Sequence, residues 1–211
     1  IGDGAIGTLL QQRGLRPGTP PEQMLLDCPG EVEAVHRMYV DAGADMVTTN
    51  SFGGSRPKLA QHGLADHVRE INHRAVKAAR NAAGDRAFVA ASIGPTGELL
   101  LPMGMMTLKT LVEIFREQVT VLRDAGADFA IIETMGDIGE LQAAARACFL
   151  EKLPFIASMT FDTNGRSLAG STAAVTAVTL EPYRPLAIGT NCGMGPDGMV
   201  DRIREFADAT A

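Results

Sequence analysis

The chain has 211 residues, of which 45% are hydrophobic and 21% are charged, so it is long enough for one substantial core and short for two. Its formal net charge is −6, and the scattered Lys and Arg residues form no basic stripe that could neutralise phosphates. No apolar run approaches the roughly 20 residues of a membrane span, and the chain start has no signal-peptide pattern. We therefore expect one domain over residues 1–211, with neither nucleic acid nor a membrane as a partner.

The cysteines Cys28, Cys148 and Cys192 are odd in number and lack the spacing of a disulfide framework. This pattern indicates a reducing compartment, and we predict a cytoplasmic protein. Cys28 precedes a Pro-Gly turn and Cys148 lies in a helical pattern, so we predict structural roles for both.

Apolar runs of strand length alternate with helical patterns along the chain. We predict a first strand that ends at Ile1, and further strands over residues 44–49, 87–92, 129–132, 154–160 and 186–190. The intervening segments have apolar residues at three- and four-residue spacing, which predicts helices over residues 31–42, 68–83, 107–125, 138–151, 173–180 and 196–207. Such alternation indicates a parallel sheet covered by helices.

The pentapeptide Asp-Ala-Gly-Ala-Asp occurs twice, at residues 41–45 and 124–128. Each copy joins the end of a predicted helix to a predicted buried strand. A glycine at this position can take the left-handed conformation that ends a helix. We therefore predict helix ends at Gly43 and Gly126.

Each predicted strand is followed by a polar or glycine-rich loop. A (β/α)8 barrel distributes polar groups over all its strand ends, whereas a doubly wound sheet concentrates them at one switch point. We therefore predict an α/β fold, namely a (β/α)8 TIM barrel of which about six βα units are present. Six strands cannot close this barrel, and the chain starts at Ile1 and stops in a helical pattern, so we expect artificial ends. The last two strands would follow residue 211 or come from a partner.

Cys192 follows the last predicted strand, at the end of a barrel where catalytic groups lie. A cysteine in this position can serve as a metal ligand or as a nucleophile. A free cysteine also behaves as a small apolar residue, so an inert buried thiol is the alternative. Position alone leaves both interpretations open.

Other strand ends carry groups suited to a small ligand. The turn Asp3-Gly4-Ala5 can bring backbone N–H groups close to an anion such as a carboxylate, or it can cap the next helix. Glu133 ends an apolar strand, where a carboxylate must meet a cation from a ligand or from a neighbouring strand. Asn50 can orient a substrate or satisfy the loop backbone.

The histidines do not have the spacing of a metal site. His62, His67 and His73 are five and six residues apart, which does not place them on one helical face, and His36 lies inside an amphipathic helix. The loop at residues 94–97 lacks the Lys and Ser/Thr of a P-loop, so we expect no phosphate site there.

Five segments stand in order at successive strand ends. They are Asp-Gly-Ala-Ile-Gly-Thr at 3–8, Ala-Gly-Ala-Asp at 42–45 leading to Thr-Asn-Ser-Phe-Gly at 49–53, Ser-Ile-Gly-Pro-Thr-Gly at 92–97, Ile-Glu-Thr-Met at 132–135 and Gly-Thr-Asn-Cys at 189–192. Together they resemble the homocysteine S-methyltransferase family, and most closely the homocysteine-binding domain of its cobalamin-dependent methionine synthase branch. The resemblance runs along nearly the whole chain.

The resemblance implies a zinc-dependent transfer of a methyl group to the thiol of homocysteine, which gives methionine. The family holds Zn²⁺ through one cysteine after the sixth strand and an adjacent pair after the eighth. This implies Cys192 as a metal ligand and catalytic residue, with the remaining ligands beyond residue 211. Bound zinc lowers the pKa of a coordinated thiol, so that a thiolate nucleophile exists at neutral pH.

The resemblance also implies where the amino acid binds. In the family, the opening Asp-Gly loop and the Glu that ends the fourth strand hold the charged groups of homocysteine. These roles carry over to Asp3, Gly4 and Ala5 as substrate-binding residues, and to Glu133 as a catalytic and substrate-binding residue. Asn50 and Asn191 would be further substrate-binding residues.

The segment at residues 52–59 is similar to the methionine synthase branch, which implies methylcobalamin or methyltetrahydrofolate as the donor. Cobalamin would then lie on a companion corrinoid-binding domain or subunit. Donation by S-methylmethionine or betaine, as in sister branches, is an alternative.

Two other classes of function stay open. A metal-independent aldolase or lyase would use Glu133 or Asp3 as its acid–base group, but it needs a Schiff-base lysine or an anion-binding loop at a strand end, and the sequence shows neither. A non-catalytic module would only bind an amino acid or dock a corrinoid protein.

Overall fold

The computed structural model describes residues 1–210, so the predicted helical chain end at Ala211 lies outside the described residues. Its sheet has the strands β1 (Met46–Thr48), β2 (Phe88–Ile93), β3 (Phe129–Met135), β4 (Phe155–Met159) and β5 (Ala187–Thr190). They are paired in parallel and stand in the sheet in chain order. Each of these strands was predicted, with ends that differ by at most three residues.

Helices precede, separate and follow the strands. They are α1 (Gly7–Gln12), α2 (Met24–Asp27), α3 (Pro29–Asp41), α4 (Arg56–Ala60), α5 (Val68–Ala83), α6 (Leu108–Asp124), α7 (Ile138–Glu151), α8 (Ala173–Leu180) and α9 (Pro196–Ala209). The six predicted helices are present, whereas α1, α2 and α4 were not predicted because they are too short for a helical repeat to stand out. Within residues 1–210, no helix combines the length and apolar character that a bilayer crossing needs.

The strand order distinguishes the two candidate architectures. A doubly wound sheet reverses its strand order at a switch point, whereas a barrel adds each strand beside the previous one. The observed order runs from β1 to β5 without a reversal. The sheet is therefore of the barrel type.

The first predicted strand is present only as a bridge. Gly2 pairs in parallel with Met46, and the amide of Asp3 donates to the carbonyl of Met46 at 3.0 Å. This pairing places the turn that begins at Asp3 beside the end of β1. The first βα position is thus occupied, although its strand is only a single bridge.

The repeated pentapeptide makes the same joint twice, as predicted. Gly43 and Gly126 both have φ of 96°, and each follows the end of a helix, α3 or α6. A residue with a Cβ is strained in this left-handed conformation, which is why glycine ends both helices. Each joint leads directly into a strand, so it sets where that strand enters the sheet.

The core lies between the sheet and its covering helices. One face of every strand is apolar and is packed against α5 to α8, and it includes Val47, Ala91, Ile132 and Ala157, each fully buried. A second apolar cluster joins α1 to α5 and contains Leu10, Leu25, Val35, Leu59 and Ile71. Since these residues cover the outer face, the polar side chains of the strands are left on the inner face of the barrel.

His36 is a buried polar exception on α3. Its side chain is 0% exposed, and neither ring nitrogen has a hydrogen-bond partner within residues 1–210. Burial lowers the pKa of His36 from 6.5 to about 4, with a small opposing effect of Glu33. The folded chain therefore holds a neutral imidazole in an apolar setting, which costs free energy that an apolar side chain would not.

We expect this histidine to make the fold acid-sensitive. The unfolded chain binds a proton at His36 below pH 6.5, whereas the folded chain does so only near pH 4, so stability falls over this range by up to about 3 kcal/mol. The variant His36→Leu should lack this loss, and denaturant unfolding at several pH values measures it. His73→Leu, at an exposed position on α5, is the control. Equal acid sensitivity of the wild type and His36→Leu would contradict the prediction.

Candidate active site

Polar side chains form a layer on the inner face of the sheet, at the carboxyl ends of the strands. Thr48 faces Ala90 in the sheet register, Ser92 faces Ile131, and Ser158 faces Gly189. Side chains two residues apart on a strand share a face, so Glu133 and Asn191 belong to the same layer. Every strand from β1 to β5 thus contributes a polar group at or just after this end.

Asp3 is fixed at the edge of this layer. Its carboxylate accepts hydrogen bonds from the Thr48 amide at 2.8 Å and from the Thr48 hydroxyl at 3.0 Å. Burial raises the pKa of Asp3 above its ordinary value, which the hydrogen bonds from Thr48 partly oppose, and the nearby carboxylate of Glu133 raises it further. The two carboxylates are therefore close enough for the charge of Glu133 to act on Asp3.

Glu133 is the second carboxylate of the layer. It accepts a hydrogen bond of 2.6 Å from the Ser92 hydroxyl on β2. Burial raises the pKa of Glu133, which this hydrogen bond opposes only in part. Within residues 1–210, no Lys, Arg or His forms an ion pair with Asp3 or Glu133, so the predicted alternative of a structural ion pair is not what the structure shows.

The turn after Asp3 exposes its backbone. Gly4 and Ala5 are both exposed, and their amide N–H groups have no acceptor within the part of the chain that the structure describes. The hydroxyl of Tyr39 donates to the Ala5 carbonyl at 2.9 Å, which fixes the turn from outside. A Cβ on Gly4 would lie 2.9 Å from that hydroxyl, so the Tyr39 side chain would have to shift for any other residue. Two N–H donors thus directly follow Asp3 in the chain.

Cys192 is exposed at the end of β5, so the alternative of a buried thiol is not what the structure shows, and a functional role for this thiol stays a prediction. Its φ of 59° is unusual for a residue other than glycine, and Thr134 beside it has φ of 61°. The Thr134 hydroxyl and the Cys192 sulfur lie 4.0 Å apart. Asn191 donates a hydrogen bond from Nδ2 to that sulfur at 3.4 Å.

The sequence of the chain matches a known protein family. The family model described as homocysteine S-methyltransferase matches residues 1–211. The chain belongs to the homocysteine S-methyltransferase family. It is 31% identical over 227 residues to a methionine synthase of Mycobacterium leprae, and 31% identical over 225 residues to that of Mycobacterium tuberculosis. The matches cover 98% of this chain but only 19% of each of those relatives.

Solved structures of this family confirm the fold. The oxidized form of the homocysteine methyltransferase MmuM from Escherichia coli matches with a TM-score of 0.87 at 23% identity, over 99% of this chain and 78% of that chain. Its metallated form matches with the same TM-score over 79% of that chain. These structures confirm the predicted TIM-barrel class, and the family model confirms the predicted family.

Asn50 and Asn191, the other two residues predicted to bind the substrate, form hydrogen bonds within the protein. Asn50 is 3% exposed and donates to the Pro21 carbonyl at 2.8 Å, beside a cavity of about 440 Å³ that Glu22 and Phe52 also line. The Asn191 amide bonds to groups on β3 and β4. Their roles as substrate-binding residues stay predictions.

Three polar side chains of the layer were missed from the sequence. Ser92 and Ser158 stand inside apolar strands, and Thr48 precedes a polar loop. A single hydroxyl residue within an otherwise apolar strand could have indicated them, because a buried hydroxyl group needs a hydrogen-bond partner. The partners themselves depend on strand register, which the sequence does not contain.

A metal needs more ligands than these residues offer. Among residues 1–210, no group of three or more His, Cys, Asp or Glu side chains is arranged to hold a metal ion. Zinc sites use three or four protein ligands. The described residues do not fit a complete zinc site, and Cys192 fits the role of one thiolate ligand within a larger set.

Proposed function

We propose that this chain is the homocysteine-binding part of an enzyme that transfers a methyl group to homocysteine and forms methionine. The observation that carries the proposal is the exposed thiol of Cys192 at the same strand ends as two unpaired, half-buried carboxylates. The thiol suits sulfur chemistry at a metal, and the carboxylates suit the ammonium group of an amino acid. Membership of the family supports this assignment.

The binding of homocysteine is proposed to use both charges of the amino acid. Its ammonium group would lie between Asp3 and Glu133, whose mutual repulsion a shared cation relieves. Its carboxylate would accept hydrogen bonds from the N–H groups of Gly4 and Ala5. This orientation directs the thiol of the substrate along the layer towards Cys192.

Methyl transfer forms the S–CH₃ bond and breaks two bonds, the S–H bond of homocysteine and the bond between the methyl group and its donor. The thiol proton leaves to solvent, a sulfur lone pair forms the S–CH₃ bond, and the electrons of the methyl–donor bond stay on the donor. Zinc, when bound, lowers the pKa of a coordinated thiol and thereby supplies a thiolate at neutral pH. We propose Cys192 as one zinc ligand, with the other ligands outside the described residues.

The methyl donor is proposed to be methylcobalamin, recharged from methyltetrahydrofolate, on a companion domain or subunit. The sequence likeness to methionine synthases over 98% of this chain supports this choice over S-methylmethionine and betaine. The free cysteines at exposed positions, Cys28 and Cys192, support a cytoplasmic location.

An assay of the full-length gene product tests the proposal. Homocysteine is supplied with methylcobalamin, S-methylmethionine or betaine, and methionine is measured by mass spectrometry. We expect methionine with methylcobalamin and little with the other two donors. Methionine only with S-methylmethionine or betaine would contradict the donor, and none with any donor would contradict the reaction.

A further inference from the structure

Two strained residues lie side by side at the candidate site. Thr134 has φ of 61° and Cys192 has φ of 59°, although neither is a glycine. A left-handed conformation costs a residue with a Cβ about 1–2 kcal/mol, and it is rarest for β-branched residues such as Thr. Such strain persists only where neighbouring groups impose it. Here the side chain of Asn191 contacts both residues.

The side-chain amide of Asn191 joins both strained residues to β4. Its Oδ1 accepts from the Thr134 amide at 3.0 Å and from the Ser158 hydroxyl at 2.6 Å. Its Nδ2 donates to the Thr134 hydroxyl at 2.8 Å and to the Cys192 sulfur at 3.4 Å. A primary amide has two N–H donors and two oxygen lone pairs, so all four directions are in use.

The backbone of Asn191 is fixed as well. The Thr160 hydroxyl, which follows β4, donates to the Asn191 carbonyl at 3.0 Å. Ser158, the anchor of the side chain, is only 8% exposed. A chain of contacts therefore runs from the interior of β4 through Asn191 to the thiol of Cys192.

We infer that Asn191 is a positioning residue, which holds the Cys192 thiol over the polar layer and does not itself contact homocysteine. Its amide has no hydrogen-bonding direction left for a substrate. The inference rests on the proposed function, because it assigns Asn191 a part in that reaction through Cys192. Ser158 positions Asn191 in turn, and so acts on the Cys192 thiol indirectly.

Zinc affinity of the full-length gene product, measured by competition with a chelator, tests this inference. Loss of a group that orients a metal ligand typically costs 10- to 100-fold in metal affinity. We expect a loss of about this size in Asn191→Ala and a smaller one in Ser158→Ala. Ser158→Thr keeps the hydroxyl and should bind zinc like the wild type. Asn81→Ala, at an exposed position on α5, is the control.

A direct substrate contact would give a different result. Asn191→Ala would then raise the KM for homocysteine with unchanged zinc affinity, and Ser158→Ala would have no effect on either. That result would overturn the inference. Crystal structures of the wild type and both alanine variants give a second test, in which we expect the Cys192 sulfur to move.

The two tests separate the inference from the function on which it rests. If the wild-type protein holds no zinc, the proposed function fails, and the sulfur position in the crystal structures still decides the role of Asn191. An unmoved Cys192 sulfur in Asn191→Ala overturns the inference even where zinc is present.

Discussion

Replacement of Glu133 by Gln should lower kcat/KM for homocysteine about 10- to 150-fold. A hydrogen bond to a charged group contributes about 1.5–3 kcal/mol, and every 1.4 kcal/mol is a tenfold change. Gln still offers an oxygen to the Ser92 hydroxyl, which donates to Glu133 at 2.6 Å, so the strand end should keep its structure. The loss therefore measures the missing negative charge opposite the ammonium group.

An analogue without the amino group makes this prediction specific. The compound 4-mercaptobutyrate has the thiol and carboxylate of homocysteine but no ammonium, so Glu133→Gln should affect its turnover little. Glu113→Gln, at an exposed position on α6, is the control and should leave both compounds unaffected. An equal loss for homocysteine and 4-mercaptobutyrate would show that Glu133 acts on the structure rather than on the ammonium group.

Replacement of Gly193 by Ala should destabilise the turn that carries Cys192, by at least about 2 kcal/mol. Gly193 has φ of 75°, and a Cβ there would lie 2.3 Å from the carbonyl oxygen of Phe161. Both the backbone conformation and the Phe161 carbonyl would therefore have to change. Because the Met194 amide bonds to the Cys192 carbonyl across this glycine at 2.9 Å, the thiol should move as well.

The matched control lies two residues further on. Gly195 has φ of −74°, and a Cβ there would meet nothing within 4 Å. Gly195→Ala should cost less, about 1 kcal/mol or below, as a poorer N-cap of α9. Denaturant unfolding gives the stabilities and a chelator competition gives the zinc affinities. Similar values for the two variants would show that the turn at Gly193 is not constrained as described.

The long elements could be predicted from the sequence because their patterns repeat over several turns. The predicted helix at 68–83 matches α5 exactly, as does 138–151 for α7. The joints at Gly43 and Gly126 were predictable too, since only glycine takes their conformation without strain. Short elements such as α2 and α4 were missed because tertiary packing, rather than a repeated pattern, holds them.

The positions of Asp3, Glu133 and Cys192 could be predicted from the sequence, but their contacts could not, and their roles stay predictions. Strand ends locate Asp3, Glu133 and Cys192 at one edge of the barrel, and the structure places them there. The partners of these residues depend on the register between strands, which also shifts between Ile132 and Met135. The left-handed conformation of Cys192 has no signal in the sequence, since it is imposed by neighbours on other strands.

Zinc per chain, measured by elemental analysis of the full-length gene product, tests the central claim most directly. The wild type, Cys192→Ala and Cys28→Ala are compared, the last as a second exposed cysteine away from the strand ends. We predict about one zinc per chain in the wild type and in Cys28→Ala, and its loss in Cys192→Ala. Zinc that is absent from the wild type, or that is retained in Cys192→Ala, would contradict the proposed role of this thiol.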